Sequence, residues 1–252
     1  MATGLSIVTG GGTGIGAALS RRLAARGPVL IVGRRLGPLE ETRKSDPHGN
    51  IRIVAADVST AEGRDAVLDA VAGKELVSAL VHNAGMLEPV MPLAEVGAKE
   101  WRNAISTNLD APLFLTQAVL PRMSRGGRIL HISSGAAKSA YEGWGAYCVS
   151  KAGLNMMYRV LAKELEPRGI YVGSVRPGVV DTPMQDHVRE ADERVFPMLA
   201  KFLTLKESGS LMKPADTARF VDWLLNGVDG EEFSAQEWDI RETDRQRWAD
   251  FN

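Results

Sequence analysis

The order in which short apolar runs alternate with longer amphipathic stretches constrains this chain more than any other feature. Leu5 to Thr9, Val29 to Val32, Ile51 to Ala55, Ala79 to His82, Arg128 to Ile132 and Tyr171 to Val175 are near-continuous apolar runs. Strands buried on both faces of a parallel sheet read this way, without polar alternation. Between them, Ile15 to Arg26, Leu36 to Ser45, Ala61 to Val71, Lys99 to Met123 and Tyr147 to Leu165 carry helical patterning. The alternation predicts an α/β chain, a Rossmann-type doubly wound parallel sheet with helices on both faces. Glu237 to Ile240 predicts a final edge strand. Residues 183 to 214 hold no clear strand and predict an irregular lid, because loops of that length are uncommon without such a role. No repeat or linker divides the sequence, so residues 1 to 252 read as one domain.

Directly after the first apolar run stands Thr-Gly-Gly-Gly-Thr-Gly-Ile-Gly, residues 9 to 16, with five glycines in eight positions. A glycine-rich turn from a first strand into a first helix permits positive φ and close backbone approach. The helix N-terminus beyond it offers unpaired N–H groups to a pyrophosphate. At the end of the second strand, where an NAD site carries an acid, this chain has Gly33, Arg34 and Arg35. Guanidinium groups bind a 2'-phosphate that a carboxylate would repel, so the sequence predicts NADP(H).

Tyr147 and Lys151 stand four apart at the start of a predicted helix and share one face. An ammonium beside a phenol is expected to lower the phenol pKa toward neutrality and make it a usable proton donor or acceptor. Ser133 and Ser134 fall at the end of the fifth strand, where a hydroxyl can hold a carbonyl oxygen. Asn108, inside the predicted long helix, requires a polar partner such as water.

Thirty basic against thirty-one acidic residues leave a net charge of -1, which offers nucleic acid or anionic membrane no attractive field. No apolar stretch approaches the ~18 residues of a membrane span, and no signal pattern precedes the first strand, so a cytoplasmic protein is expected. The single cysteine, Cys148, reads as a small buried residue. His48, His82, His131 and His187 lack ligand spacing and read as structural, so no metal is expected.

With Thr9-Gly10-x-x-x-Gly14-x-Gly16, Asp57-Val58, Asn83-Ala84-Gly85, Asn108, Ser134, Tyr147-x-x-x-Lys151 and Pro177-Gly178-x-x-x-Thr182 in order, the chain resembles the short-chain dehydrogenases/reductases. His82 stands where that family often has a second asparagine. The resemblance implies Tyr147 as general acid, Ser134 on the substrate oxygen, Lys151 on the nicotinamide ribose and Asn108 behind a water-mediated proton relay. It further implies Gly10, Thr13, Gly14, Ile15 and Gly16 at the pyrophosphate and Asp57 with Val58 at adenine. Asn83, Ala84 and Gly85 would border the adenosine ribose, and Pro177, Gly178, Val180 and Thr182 would lie along the nicotinamide.

"PGVVDTPMQ", residues 177 to 185, with "HNAG", residues 82 to 85, is similar to the branch holding sepiapterin reductases and benzil reductases. The resemblance implies an NADPH-dependent reductase of a hydrophobic or aromatic ketone or diketone, assembled as a homodimer or homotetramer. An alcohol dehydrogenase working oxidatively and a non-catalytic NADP(H) sensor are the alternatives. Met184, Phe196, Met198, Leu199, Phe202, Leu203, Leu205, Leu211 and Met212 supply apolar lid residues, and Tyr141 and Trp144 are pocket-wall candidates. Asp239 stands where sepiapterin reductases anchor a pterin. Trp238, Trp248 and Phe251 in a polar tail point to packing, with another subunit as one candidate.

Overall fold

The computed structural model describes residues 4–71, 73 and 75–251; the expected domain limits at 1 to 3 and 252 lie outside them. The strands are β1 (Leu5–Thr9), β2 (Val29–Gly33), β3 (Ile51–Ala55), β4 (Val77–His82), β5 (Met123–Ile132), β6 (Tyr171–Arg176) and β7 (Glu237–Asp239). All neighbours pair in parallel, in the order β3-β2-β1-β4-β5-β6-β7. The chain turns back at β1 and leaves through β4 on the other side, which opens a crevice at the carboxyl ends of those two strands.

Successive side chains of a strand point to opposite faces, and both faces here are covered. Ile7, Leu30, Leu80 and Ile129 pack with Leu115 and Tyr158 of the helices α5 (Ala111–Val119) and α6 (Gly145–Leu165). Their chain neighbours Val8, Ile31, Val81 and Leu130 pack on the other side against α1 (Gly14–Ala24) and α9 (Pro214–Asn226). Asp222 of α9 is 1% exposed and accepts from Arg22 at 3.1 Å and Arg26 at 2.9 Å, which fixes α1 from behind. The remaining helices of the first half are α2 (Leu36–Lys44), α3 (Ala61–Asp69) and α4 (Ala98–Ile105).

Three expectations are corrected. The helix predicted from Lys99 to Met123 is broken: a π-type turn, Ser106–Asp110, separates α4 from α5, and Met123 already opens β5. Pro112 has no N–H to continue a regular helix, and Asn108 is drawn out of register by a backbone partner described below. The lid is not irregular, for it contains α7 (Pro183–Arg189) and α8 (Leu199–Glu207), with Pro183 in the first helical turn. The tail packs on its own chain: Trp238 meets Trp223 edge to face at 5.5 Å, Trp248 meets Phe220 at 5.2 Å, and Arg26 lies over Phe251.

Helices α9 and α10 (Gly230–Ala235) had no counterpart in the sequence reading. Pro214, followed by Phe220, Val221, Leu224 and Leu225, was the available signal.

Candidate active site

The glycine turn is held against β4 by a compact set of hydrogen bonds. Thr9 Oγ1 accepts from the backbone N–H groups of Asn83 and Ala84, each at 3.0 Å. Asn83 Nδ2 donates to the carbonyls of Thr9 at 2.9 Å and Gly10 at 3.2 Å. Gly10 adopts φ +66° and Gly14 φ +52°. A Cβ on Gly16 would lie 2.2 Å from the Gly10 carbonyl oxygen, so this glycine brings α1 onto the turn. The side chain of Thr13 at the helix cap makes no capping bond, which leaves donors of the first turn open toward the crevice.

A cavity of about 680 Å³ runs from this turn to the lid. Every predicted site residue borders it except Gly16, Asn108 and Asp239. Arg34 and Arg35 are exposed at its edge, and neither is bonded to a carboxylate among the described residues. Asp57, next to them, is partly occupied locally, since Oδ1 accepts from the Ser59 N–H and hydroxyl. The residues present therefore fit a phosphorylated dinucleotide: open helix donors and a turn without side chains at one end, unengaged guanidinium groups beside it.

At the other end Ser134, Tyr147 and Lys151 converge. Lys151 Nζ lies 5.7 Å from the Tyr147 ring centre and donates to the Ile132 carbonyl at 2.9 Å. Burial pulls the Lys151 ammonium down to about 8. The expectation of a lowered phenol is corrected: burial pushes Tyr147 up to about 12, with the Ser134 hydroxyl opposing it in part. The phenol is buried, and the ammonium that would favour its anion is turned to a carbonyl.

Asn108 does not face the cavity. Its Oδ1 accepts from Met86 N–H at 2.9 Å, and its Nδ2 donates to the Met86 carbonyl at 2.8 Å and Ser150 Oγ at 3.0 Å. The polar partners that the Asn108 side chain requires are supplied by Met86 and Ser150. The π-type turn supplies that side chain, and its bond to Ser150 couples α6 to the loop after β4.

Trp144 stacks on Phe196 at 4.6 Å and also meets Phe202 and Tyr147, so it is both lid anchor and pocket wall. Tyr141, Met184, Leu205 and Met212 border the same space. Leu203 points to solvent. Asp239 is corrected as a substrate anchor: its carboxylate is taken by Arg176 at 3.0 Å and Arg241 at 2.6 Å. Arg241 borders the cavity in its place, a residue the sequence reading passed over. Lys201 was likewise missed.

His82 and His131 form a buried edge-to-face pair at 5.1 Å, His82 Nε2 lies 2.8 Å from Thr116 Oγ1, and burial pulls His131 down to about 4. His48 is exposed, and His187 is an exposed side chain at the border of the cavity. Cys148 is only half-buried, and burial pushes its thiol up. Among the described residues no three His, Cys, Asp or Glu gather where they could hold a metal, and no helix is long and apolar enough to cross a membrane.

Comparison with known proteins follows this geometry. The short chain dehydrogenase family model matches residues 5–193. The benzil reductase ((S)-benzoin forming) of Bacillus cereus is 32% identical over 238 residues, covering 90% of this chain and 94% of the relative. The crystal structure of the KRED1-Pglu enzyme superposes with a TM-score of 0.85 at 32% identity, covering 94% of this chain and 100% of that one. A variant of the actinorhodin polyketide ketoreductase, solved with NADPH, gives a TM-score of 0.80 at 27% identity, covering 94% of this chain and 95% of that one.

Proposed function

The chain belongs to the short-chain dehydrogenase family, and from that premise we propose that it is an NADPH-dependent carbonyl reductase of hydrophobic or aromatic ketones or diketones. One observation carries the reading: Ser134, Tyr147 and Lys151 share a single cavity with the glycine turn and with Arg34 and Arg35. The benzil reductase relative and the NADPH-bound ketoreductase support it.

In this reading Gly10, Thr13, Gly14 and Ile15 hold the pyrophosphate, and Arg34 with Arg35 hold the 2'-phosphate. Asp57 and Val58 meet adenine, Asn83 to Gly85 border its ribose, Lys151 holds the nicotinamide ribose, and Pro177, Gly178, Val180 and Thr182 flank the nicotinamide. When bound, NADPH supplies the hydride. The protein manages the charge that grows on the substrate oxygen: Ser134 donates to that oxygen while Tyr147 gives up its phenolic proton to it. Lys151 moves the phenol toward ionisation at that moment, offsetting part of the burial that holds the proton on Tyr147 beforehand. Asn108 keeps the α6 turn that carries both residues in place through Ser150. Trp144, Met184 and Phe202 give the substrate an apolar bed and exclude water. A homo-oligomer is part of the proposal, because α5 and α6 leave Phe114, Val149, Met156 and Val160 exposed.

The experiment is oxidation of NADPH and of NADH, followed by absorbance, with benzil, an aliphatic 1,2-diketone, sepiapterin and an acetoacetyl thioester. Reduction of an aromatic diketone, at least about tenfold more efficient with NADPH, is expected. No turnover of any of these carbonyls, with NADPH binding demonstrated by calorimetry, would move the reading to a nucleotide sensor.

A further inference from the structure

The segment after β7 places a cation in the cavity wall and fixes its orientation. Arg241 donates from Nε to Asp239 Oδ1 at 3.0 Å and from one terminal nitrogen to Oδ2 at 2.6 Å. The Arg241 N–H adds a third bond to the same carboxylate at 2.9 Å. Asp239 is itself 2% exposed and braced by Arg176. A two-pronged grip of this kind holds the guanidinium plane rigid. It leaves the other terminal nitrogen, Nη1, with no hydrogen bond among the described residues, on a half-exposed side chain that borders the cavity.

Tyr141 links this group to the reacting centre. Its hydroxyl lies 4.0 Å from where a Cβ of Gly135 would sit, immediately after Ser134. Its phenol also lies near enough to Arg241 to favour the guanidinium charge. Ser134, Tyr141 and Arg241 thus form a polar track through a space that Trp144, Met184 and Phe202 also line, with His187 and Lys201 on the lid side. Around the track Lys138, Arg176 and Arg241 are matched by Glu237, Asp239 and Glu242. A donor set in a charge-balanced patch suits a neutral acceptor better than an anion.

We propose that Arg241, steadied by Asp239, is a specificity-determining residue whose free nitrogen binds a second, uncharged oxygen of the substrate. The enzyme then prefers carbonyl compounds with two oxygens over monoketones of the same shape. This inference rests on the carbonyl-reductase reading above.

The test uses benzil and deoxybenzoin, which differ by one carbonyl oxygen, with wild type, Arg241→Met and Arg241→Lys. Arg241→Met is expected to raise KM for benzil about tenfold with kcat little changed, and to move kcat/KM for deoxybenzoin by less than about twofold. Arg241→Lys should restore part of the benzil KM. Equal losses on both ketones, or no loss on either, would overturn the proposal. So would benzoylformate, an anionic keto acid, being the substrate most dependent on Arg241. Should Arg241→Met melt early, Asp239→Asn keeps the guanidinium and loosens its grip; a selective rise in the benzil KM is again expected, and none overturns the idea. If wild type reduces no carbonyl, the reductase reading fails separately, and calorimetric titration with benzoin still judges the subsite. About tenfold weaker binding by Arg241→Met would support it, and unchanged affinity or no binding to wild type would sink it.

Discussion

Lys151 ties the second turn of α6 to the end of β5, its Nζ donating to the Ile132 carbonyl across 2.9 Å. Burial sets the charge states of the site, pulling the Lys151 ammonium down to about 8 and pushing the Tyr147 phenol up to about 12. Near neutral pH the acid is therefore fully protonated and its cationic neighbour still charged. As pH rises through about 8 the cation is lost first, because the phenol holds its proton far longer. The pH profile of kcat/KM for reduction is expected to be level below about 8 and to fall about tenfold per unit above it. A profile level to pH 10 would show that the ammonium is not required.

The same burial makes Lys151 a cost to the fold. Its folded value near 8 lies below the ordinary 10.5, so between those values the unfolded chain binds more protons and stability rises with pH. Below about 8 the full cost is present. Lys151→Met is therefore expected to stabilise the protein by about 1–3 kcal/mol at pH 7 and by much less near pH 10.5 while losing turnover. Urea unfolding at both pH values separates this from a general packing gain, which would not depend on pH.

Arg34 carries the cofactor preference in the proposed function. Arg34→Asp replaces a phosphate-binding cation with a repelling anion at the edge of β2. The KM for NADPH should rise by about one to two orders of magnitude while that for NADH stays within about threefold. Equal changes for both would remove the 2'-phosphate from this position.

Two glycines outside any obvious symmetry offer a paired test of the turn. A Cβ on Gly16 would meet the Gly10 oxygen at 2.2 Å and Asn83 Nδ2 at 2.5 Å, whereas one on Gly37 in α2 would meet nothing within 4 Å. Gly16→Ala is expected to cost roughly 2–4 kcal/mol and to weaken NADPH binding. Gly37→Ala should instead stabilise by about 0.5 kcal/mol. Thermal melts with and without NADPH read both. Equal effects would mean that the glycine turn tolerates side chains.

These contrasts also explain what the sequence made legible. All seven strands and the glycine turn could be read because their signals are local in sequence: apolar runs such as Leu30-Ile31-Val32, and a cluster of glycines directly after the first of those runs. Tyr147, Lys151 and Ser134 were singled out by spacing taken together with the family resemblance, and they border one cavity. What escaped depends on partners far along the chain. The break at Asn108 is set by Met86 and Ser150, and the Arg241 orientation by Asp239 and, beyond it, Arg176. The Tyr147 phenol was expected to be lowered by its neighbour because proximity is visible in spacing, whereas the burial that raises it is not. Helix α9 hides part of its buried face in polar residues, since Thr217 and Asp222 are buried beside Phe220, Val221 and Leu224 and Asp222 is reached by Arg22 and Arg26 of the distant N-terminal region.

The outer surface of α5 and α6 supplies the last prediction. Val149, Met156 and Val160 recur at helical spacing on one face of α6, 43%, 54% and 45% exposed, and Phe114 of α5 is 42% exposed. Apolar side chains exposed together in this way are costly in a monomer, and a two-fold copy of the same face would bury them against themselves. Sedimentation of the wild type at micromolar concentration should give a dimer or larger. Met156→Glu combined with Val160→Glu should give the monomer, since each charge would be buried without a partner in a self-complementary interface at a cost of several kcal/mol. A wild type that sediments as a monomer would refute the assembly, and a double variant that still associates would move the interface elsewhere on the surface.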